Sequence, residues 1–484
     1  MKLHNSILPF ATLICLIVPV ERALHAAPAD RFNVLFIAAD DLRCDLACYG
    51  HPLVKTPHLD RLASRGTLFN FAYCQQALCN PSRASLMTGL RPDTLKVWDL
   101  PTHFREVAPD VVTLPQHFLK HGYFTQNIGK IYHNWRQQIE GDPASWSVPA
   151  VMHYATHGSD TPQVSDGELP PDLAPFKRTE NRDVPDDAYF DGRIADLAVT
   201  ALGKLKQQSQ PFFLAVGFWK PHLPFNPPKR YWDLYDRAKI HPAGNPHPPE
   251  NVPAIALHNG RELLSGKGRP LPEDEVRELR HGYLAGVSYL DAQVGKLLDE
   301  LDRLELTETT VVVFWSDHGF HLGEHSLWCK TSNFENDAHV PLIISAPQAK
   351  QRGKKTDALV ELLDMYPTLV DLCGLPAVSG LEGVSLAPVL NDAQATVKPA
   401  AYTQHPRPAY YKGRPEAMGV SVRVPHTRYT EWRDFATGKV LASEFYDHRR
   451  DPQEDHNIVA KPLEPRTLRH ARRMLEHAFP RRVR

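Results

Sequence analysis

The chain has 484 residues, 42% hydrophobic and 23% charged, enough for one large α/β domain with an appendage or for two or three domains. Its formal net charge of −1 leaves no global basic excess, so nucleic-acid binding has no electrostatic footprint and any anion recognition must be local. Forty-three prolines point to many ordered loops.

The N-terminus reads as a cleaved signal peptide over residues 1–27. Lys2 supplies a positive start, residues 7–20 are mostly apolar, and the small residues Ala26, Ala27 and Ala29 follow. The apolar run is short and broken by Pro9 and Pro19, and no later stretch holds eighteen consecutive apolar residues, so no membrane span is expected. Export to the periplasm or the extracellular medium follows, or to the lysosome in a eukaryote. Removal of Cys15 with the leader leaves Cys44, Cys48, Cys74, Cys79, Cys329 and Cys373, whose pairing the sequence leaves open.

Four short apolar runs then recur, each ending in polar residues suited to chemistry. Residues 34–39 run into Asp40-Asp41, and 124–128 into Gly129-Lys130 and His133. Residues 212–216 lead to Lys220-Pro221-His222, and 311–315 to Ser316-Asp317-His318. Such runs are the pattern of strands buried on both faces of a parallel sheet. Helical patterns lie between them, the clearest over 272–304, where Val287, Leu290, Val294, Leu297, Leu298 and Leu301 recur at three- and four-residue spacing. Alternating strands and helices predict an α/β fold, and ligands of such sheets bind at the carboxyl ends of strands, so the four polar groups should converge.

Two segments interrupt the alternation as long ordered loops, a polar one at 156–187 and a proline-rich one at 224–253. Residues 28–405 are expected to form the catalytic domain and 406–484 a C-terminal α+β subdomain. The latter has β-like runs at 419–424, 428–432 and 444–447. The end, 466–484, carries seven arginines with Leu468, Ala471, Leu475 and Phe479 on one face, the pattern of a docked amphipathic helix. Those arginines also offer charge for an acidic polysaccharide.

The sharpest local signal is Cys79-Asn80-Pro81-Ser82-Arg83, continuing into Ala84-Ser85-Leu86-Met87-Thr88-Gly89. A lone cysteine is usually a small buried hydrophobe. Here Pro81 suits a first helical turn, which places Cys79 at a helix N-terminus where free amides favour an anion. Arg83, four residues on, shares that helical face and has the fork that grips oxyanions. Asp40, Asp41 and Asp317 would give a hard cation three carboxylates.

This motif resembles the C-x-P-S-R signature of the sulfatase family. The likeness continues through Leu90-Arg91-Pro92-Asp93-Thr94, Gly129-Lys130-Ile131-Tyr132-His133, Lys220-Pro221-His222-Leu223-Pro224-Phe225, and Ser316-Asp317-His318-Gly319 with Gly323-Glu324-His325. Within the family, residues 40–457 are most similar to its iduronate-2-sulfatase branch. The resemblance implies an alkaline-phosphatase-like fold, with a large, mostly parallel mixed sheet sandwiched by helices and a small C-terminal antiparallel sheet. It also implies that a formylglycine-generating enzyme converts Cys79 to 3-oxoalanine (formylglycine). Asp40, Asp41, Asp317 and His318, with the modified Cys79, would hold one Ca²⁺, or Mg²⁺ in its place.

The implied roles are a nucleophile from Cys79, charge from Arg83, Lys130 and Lys330 around the sulfate, His222 protonating the departing sugar oxygen, and His133 as the base that clears the sulfated enzyme. The implied substrate is a sulfated oligosaccharide or polysaccharide carrying 2-O-sulfated uronic acid. Lys96, His103 and Arg105 are candidates to meet its carboxylate. Two other readings compete: a phosphate or phosphonate ester hydrolase of the same superfamily, and a secreted glycan-binding protein descended from an inactive sulfatase.

Overall fold

All four apolar runs form strands, and the four lie side by side. In chain order the first five strands are β1 (Asn33–Asp40), β2 (Thr67–Tyr73), β3 (Phe124–Gly129), β4 (Phe212–Pro221) and β5 (Thr310–Ser316). In this computed structural model residues 31–134, 137, 139–153, 178–258, 260–264, 270–410 and 413–481 are described. The expected signal peptide and most of the polar loop at 156–187 lie outside them.

β1 pairs in parallel with β4 on one side and β5 on the other, and β3 extends the row beyond β4. On the far side of β5 the sheet continues through Leu342–Ser345, which is antiparallel, to β2 and then Lys354–Glu361, parallel to β2. The sheet is thus mixed and mostly parallel, and the carboxyl ends of β1, β3, β4 and β5 share one edge.

Alternate residues of β1 enter opposite cores. Leu35 and Ile37 pack with Val287, Leu290 and Val294 of the helix Glu273–Arg303, while Val34, Phe36 and Ala38 pack with Leu86 and Met87 of the helix Cys79–Thr88. Each of these side chains other than Ala38 contributes about 1.5–3 kcal/mol by leaving water. The proline-rich loop is ordered, and its Phe225, Tyr231, Trp232 and Ile240 join the first core.

Two glycines set the edge near the polar motifs. Gly129 (φ 83°) lies opposite Gly217, and a Cβ on either would fall 2.1 or 2.0 Å from a carbonyl oxygen of the neighbouring strand end. Only two hydrogens fit between β3 and β4 there, and this close approach fixes the position of Lys130.

The C-terminal sheet contains the predicted runs as Ala417–Val424, Thr427–Asp434 and Val440–Asp447, antiparallel throughout. A further strand, Ala401–Arg407, pairs with the first of them. Its Pro406 masks it as a loop in the sequence, yet proline is tolerated on a strand with a free side. One face of this sheet is covered by the helix Pro465–Ala478 through Leu468, Ala471 and Leu475. The other presents Trp432 and Tyr446 to Ala256, Leu327 and Phe334 of the larger body. The six cysteines from Cys44 onward are all free thiols. Among the described residues no helix is long and apolar enough to cross a membrane.

Candidate active site

Cys79 is the first residue of its helix, and no side chain caps that end. The thiol therefore lies beside free amide hydrogens, in a field that favours negative charge. Its Sγ is 3.5 Å from Asp40 Oδ1, 3.4 Å from His318 Nε2 and 3.9 Å from Lys130 Nζ. Burial, and then Asp40, push this thiol well above the ordinary cysteine value against the pull of Lys130 and Lys330, so the unmodified group is a neutral thiol.

The predicted convergence takes place. Asp40, Asp41, Lys130, Asp317, His318 and Lys330 are all buried around Cys79. Burial raises the Asp40 carboxyl, but Lys130, with which it is ion-paired, then His222, Arg83 and Lys330 outweigh that and hold it well below the usual range. Lys130 also lies 4.3 Å over the Trp219 ring. Asp41 goes the other way: burial raises it, and the like charges of Asp40, Glu262 and Asp317 overcome the relief from Lys330, whose Nζ is 3.0 Å away. Asp41 also sits at φ 63°, in the left-handed region, where its carbonyl accepts from Tyr283 Oη at 2.9 Å.

Arg83 is placed differently from the grip on an oxyanion that the motif suggests. Its Nε meets Asp317 Oδ2 at 2.9 Å, Nη1 donates to the carbonyls of Lys130 (2.6 Å) and Ile131 (3.2 Å), and Nη2 donates to the carbonyl of Ala39 (3.2 Å). The guanidinium thus ties together the ends of β1, β3 and β5, with Asp40 Oδ1 a further 3.7 Å from Nη2.

Three histidines complete the ring. His318 Nδ1 is 2.9 Å from the Gly319 carbonyl, to which it donates, so Nε2 turns a lone pair toward Asp41 (3.4 Å), Asp317 (3.6 Å) and Cys79. His222 is anchored likewise, Nδ1 to the Leu223 carbonyl at 2.6 Å, with Nε2 3.8 Å from Asp41 Oδ2. Lys220 holds that turn by donating to the carbonyls of His222 and Pro224. His133 is buried with neither ring nitrogen hydrogen-bonded to a described residue, and burial, then Lys130, push its pKa well below the ordinary value.

Donor atoms of Asp40, Cys79, Asp317 and His318 all lie within 4.8 Å of one another, as do those of Asp41, Cys79 and His222. Crowded carboxylates that raise Asp41, together with an inward-turned imidazole lone pair, fit a divalent cation. The predominance of oxygen donors suits Ca²⁺ or Mg²⁺.

Two of the three residues expected near a sugar carboxylate are occupied inside the fold. His103 caps the short helix Phe104–Val107, and Arg105 pairs with Asp142 and donates to the carbonyls of Pro109 and Val111. Lys96 is exposed. Glu262, whose Oε2 is 2.7 Å from Lys330 Nζ, is a contact that nothing in the sequence announces: it lies on a four-residue helix with no motif around it.

A family model described as sulfatase matches residues 32–375, and one described as N-sulphoglucosamine sulphohydrolase, C-terminal, matches 323–478. The chain is 35% identical to the iduronate 2-sulfatase of Mus musculus over 91% of its own length and 93% of the relative's. It is 34% identical to that of Homo sapiens, over 92% and 94%. Among solved structures, a phosphonate monoester hydrolase from Silicibacter pomeroyi superposes with a TM-score of 0.74 at 23% identity, covering 93% of this chain and 96% of that one, a likeness of fold.

Proposed function

The chain belongs to the sulfatase family, and from that membership we propose that it is an exported enzyme that hydrolyses sulfate esters of sulfated glycans, 2-O-sulfated uronic acid being the favoured unit. The observation that carries the reading is the position of Cys79, on a bare helix N-terminus with Asp40, His318 and Lys130 all within 4 Å of its sulfur. Formylglycine made from Cys79 by a maturation enzyme would supply a hydrated aldehyde, with one hydroxyl to attack sulfur and another through which sulfate can be expelled. A Ca²⁺ held by Asp40, Asp41, Asp317 and His318 beside residue 79 would supply fixed positive charge for the sulfate oxygens.

The chain's own groups account for the rest. Lys130 and Lys330 are buried, yet the carboxylates they touch raise their pKa values, so both stay charged to bind the anion. Arg83 acts as a positioning residue, holding Asp317 and the strand ends in register. His222, part-exposed at the rim with Nδ1 fixed, presents Nε2 to give a proton to the departing sugar oxygen. His133, kept neutral by burial and then Lys130, has one ring nitrogen with a free lone pair to take one.

Sulfate release from a 2-O-sulfated uronate disaccharide, assayed beside a phosphonate monoester, tests this reading. Protein made with the maturation enzyme should turn over the sulfate ester with the higher kcat/KM. The opposite order would transfer the site to the phosphonate-hydrolase reading.

A further inference from the structure

Next to the segment that packs on the helix beginning at Cys79 lies an open groove of about 410 Å³ that the chemistry above does not use. Its walls are Lys96, Trp98, Asp99 and Thr102 from the larger body, Arg414 from the loop before the strand Ala417–Val424, and Phe435 from the turn after the strand Thr427–Asp434. The groove adjoins the nucleophile's helix: Asn80 Nδ2 donates to the carbonyls of Asp99 (2.8 Å) and Thr102 (2.7 Å), and Gln76 Nε2 to that of Trp98 (2.8 Å).

Its lining is aromatic and cationic. Trp98 and Phe435 meet edge to face with centroids 5.3 Å apart, and the Arg414 guanidinium lies 5.6 Å over the Phe435 ring. Lys96 is exposed at φ 54°; its amide caps the short helix Pro92–Leu95, and its ammonium makes no hydrogen bond or ion pair with any described residue. The acids nearby take their hydrogen bonds from other groups, although Arg414 also acts on Asp434 through space. Asp99 is buried and accepts from the Thr102 amide at 2.9 Å, Asp93 accepts from Trp98 Nε1 at 2.8 Å, and Asp434 accepts from the Thr437 amide and hydroxyl. Two cations therefore face the groove without a carboxylate hydrogen-bonded to either.

Aromatic surface packs against the C–H face of a sugar ring, while lysine and arginine grip its anionic substituents. We propose that this groove binds the sugar next to the one being desulfated, and that this neighbour carries its own sulfate or carboxylate. The proposal rests on the glycan-sulfatase reading and extends it. The groove lies at the junction of the two sheets, so the C-terminal unit supplies half of a substrate subsite.

The test compares wild type with the Lys96→Ala/Arg414→Ala variant, both side chains being exposed and free of core packing. The substrates are two sulfated disaccharides that differ only in whether the neighbouring sugar is itself sulfated. Wild type should prefer the sulfated neighbour, and the variant should lose that preference by about tenfold or more, chiefly through KM, for loss of charged hydrogen bonds. The Lys96→Arg/Arg414→Lys variant should regain part of it.

Calorimetric titration of the doubly sulfated disaccharide reads the groove without turnover. A Kd unchanged by the double substitution, or an unchanged substrate preference, overturns the proposal. A Kd shift in a protein that hydrolyses neither disaccharide upholds the groove and overturns the catalytic reading instead.

Discussion

The catalytic ring and the junction between the two sheets both bury clusters of opposite charges, and they do so to different ends. At the junction Arg428 donates to Glu454 (2.7 Å) and to Glu335, His448 lies 2.8 Å from Glu454, and the Glu335 amide closes the circuit on Glu454 at 2.7 Å. Each charge has a partner of opposite sign, and both glutamates are held below the ordinary range: burial raises them, and Arg423 and Arg428 for Glu335, and Arg428 for Glu454, more than compensate. In the ring, by contrast, burial and then the like charges of Asp40, Glu262 and Asp317 keep Asp41 raised in spite of Lys330, and neither ring nitrogen of His133 has a hydrogen-bond partner among the described residues. Saturated networks stabilise a fold, whereas charge left unresolved inside a well-packed core marks a place kept for a ligand.

Breaking each cluster should therefore give opposite phenotypes. The largest effect is expected at the junction, where Arg428→Ala would remove the cation shared by the buried Glu454 and the part-buried Glu335 and cost about 3–5 kcal/mol of stability. Denaturant unfolding reads this, and the fraction that remains folded should keep its kcat. Next comes the ring: Lys130→Ala should lower kcat by about 10²–10³-fold in the protein that remains folded, the loss seen when one preorganised donor is removed. A Lys130 variant that unfolds while keeping its rate would erase the contrast.

The smallest effect concerns pH. Glu444, under Trp432 in the second sheet, is raised to about 7, first by burial and further by Glu454, against the hydrogen bonds from Trp432 and Tyr446. A raised carboxyl binds its proton more tightly in the folded protein. Its stabilising contribution is thus complete below the unfolded value near 4.5 and is lost as pH rises through about 7. Between pH 5 and 8 the wild type should lose about 2 kcal/mol more than Glu444→Gln in parallel denaturant titrations.

Legibility in the sequence follows the same division. β1, β3, β4 and β5 were readable because strands buried on both faces are uninterrupted apolar runs, and their motifs converge because parallel strands share an edge. Leu342–Ser345 is too short to announce itself, Lys354–Glu361 begins with exposed lysines, and Ala401–Arg407 carries a proline. In the site, the residues at strand ends were found by position and motif. The spending of Arg83 on Asp317 and three carbonyls, and the contact of Glu262 with Lys330, depend on packing between distant segments, which no local spacing encodes.

The central claim is that residue 79 is the precursor of the nucleophile. Mass spectrometry of the tryptic peptide containing Cys79, from protein made with its maturation enzyme, tests it most directly. The account predicts a peptide roughly 18 Da lighter than the cysteine form and inert to thiol alkylation, because the working group is an aldehyde. A fully alkylatable Cys79 in protein that still releases sulfate from its substrate would contradict it.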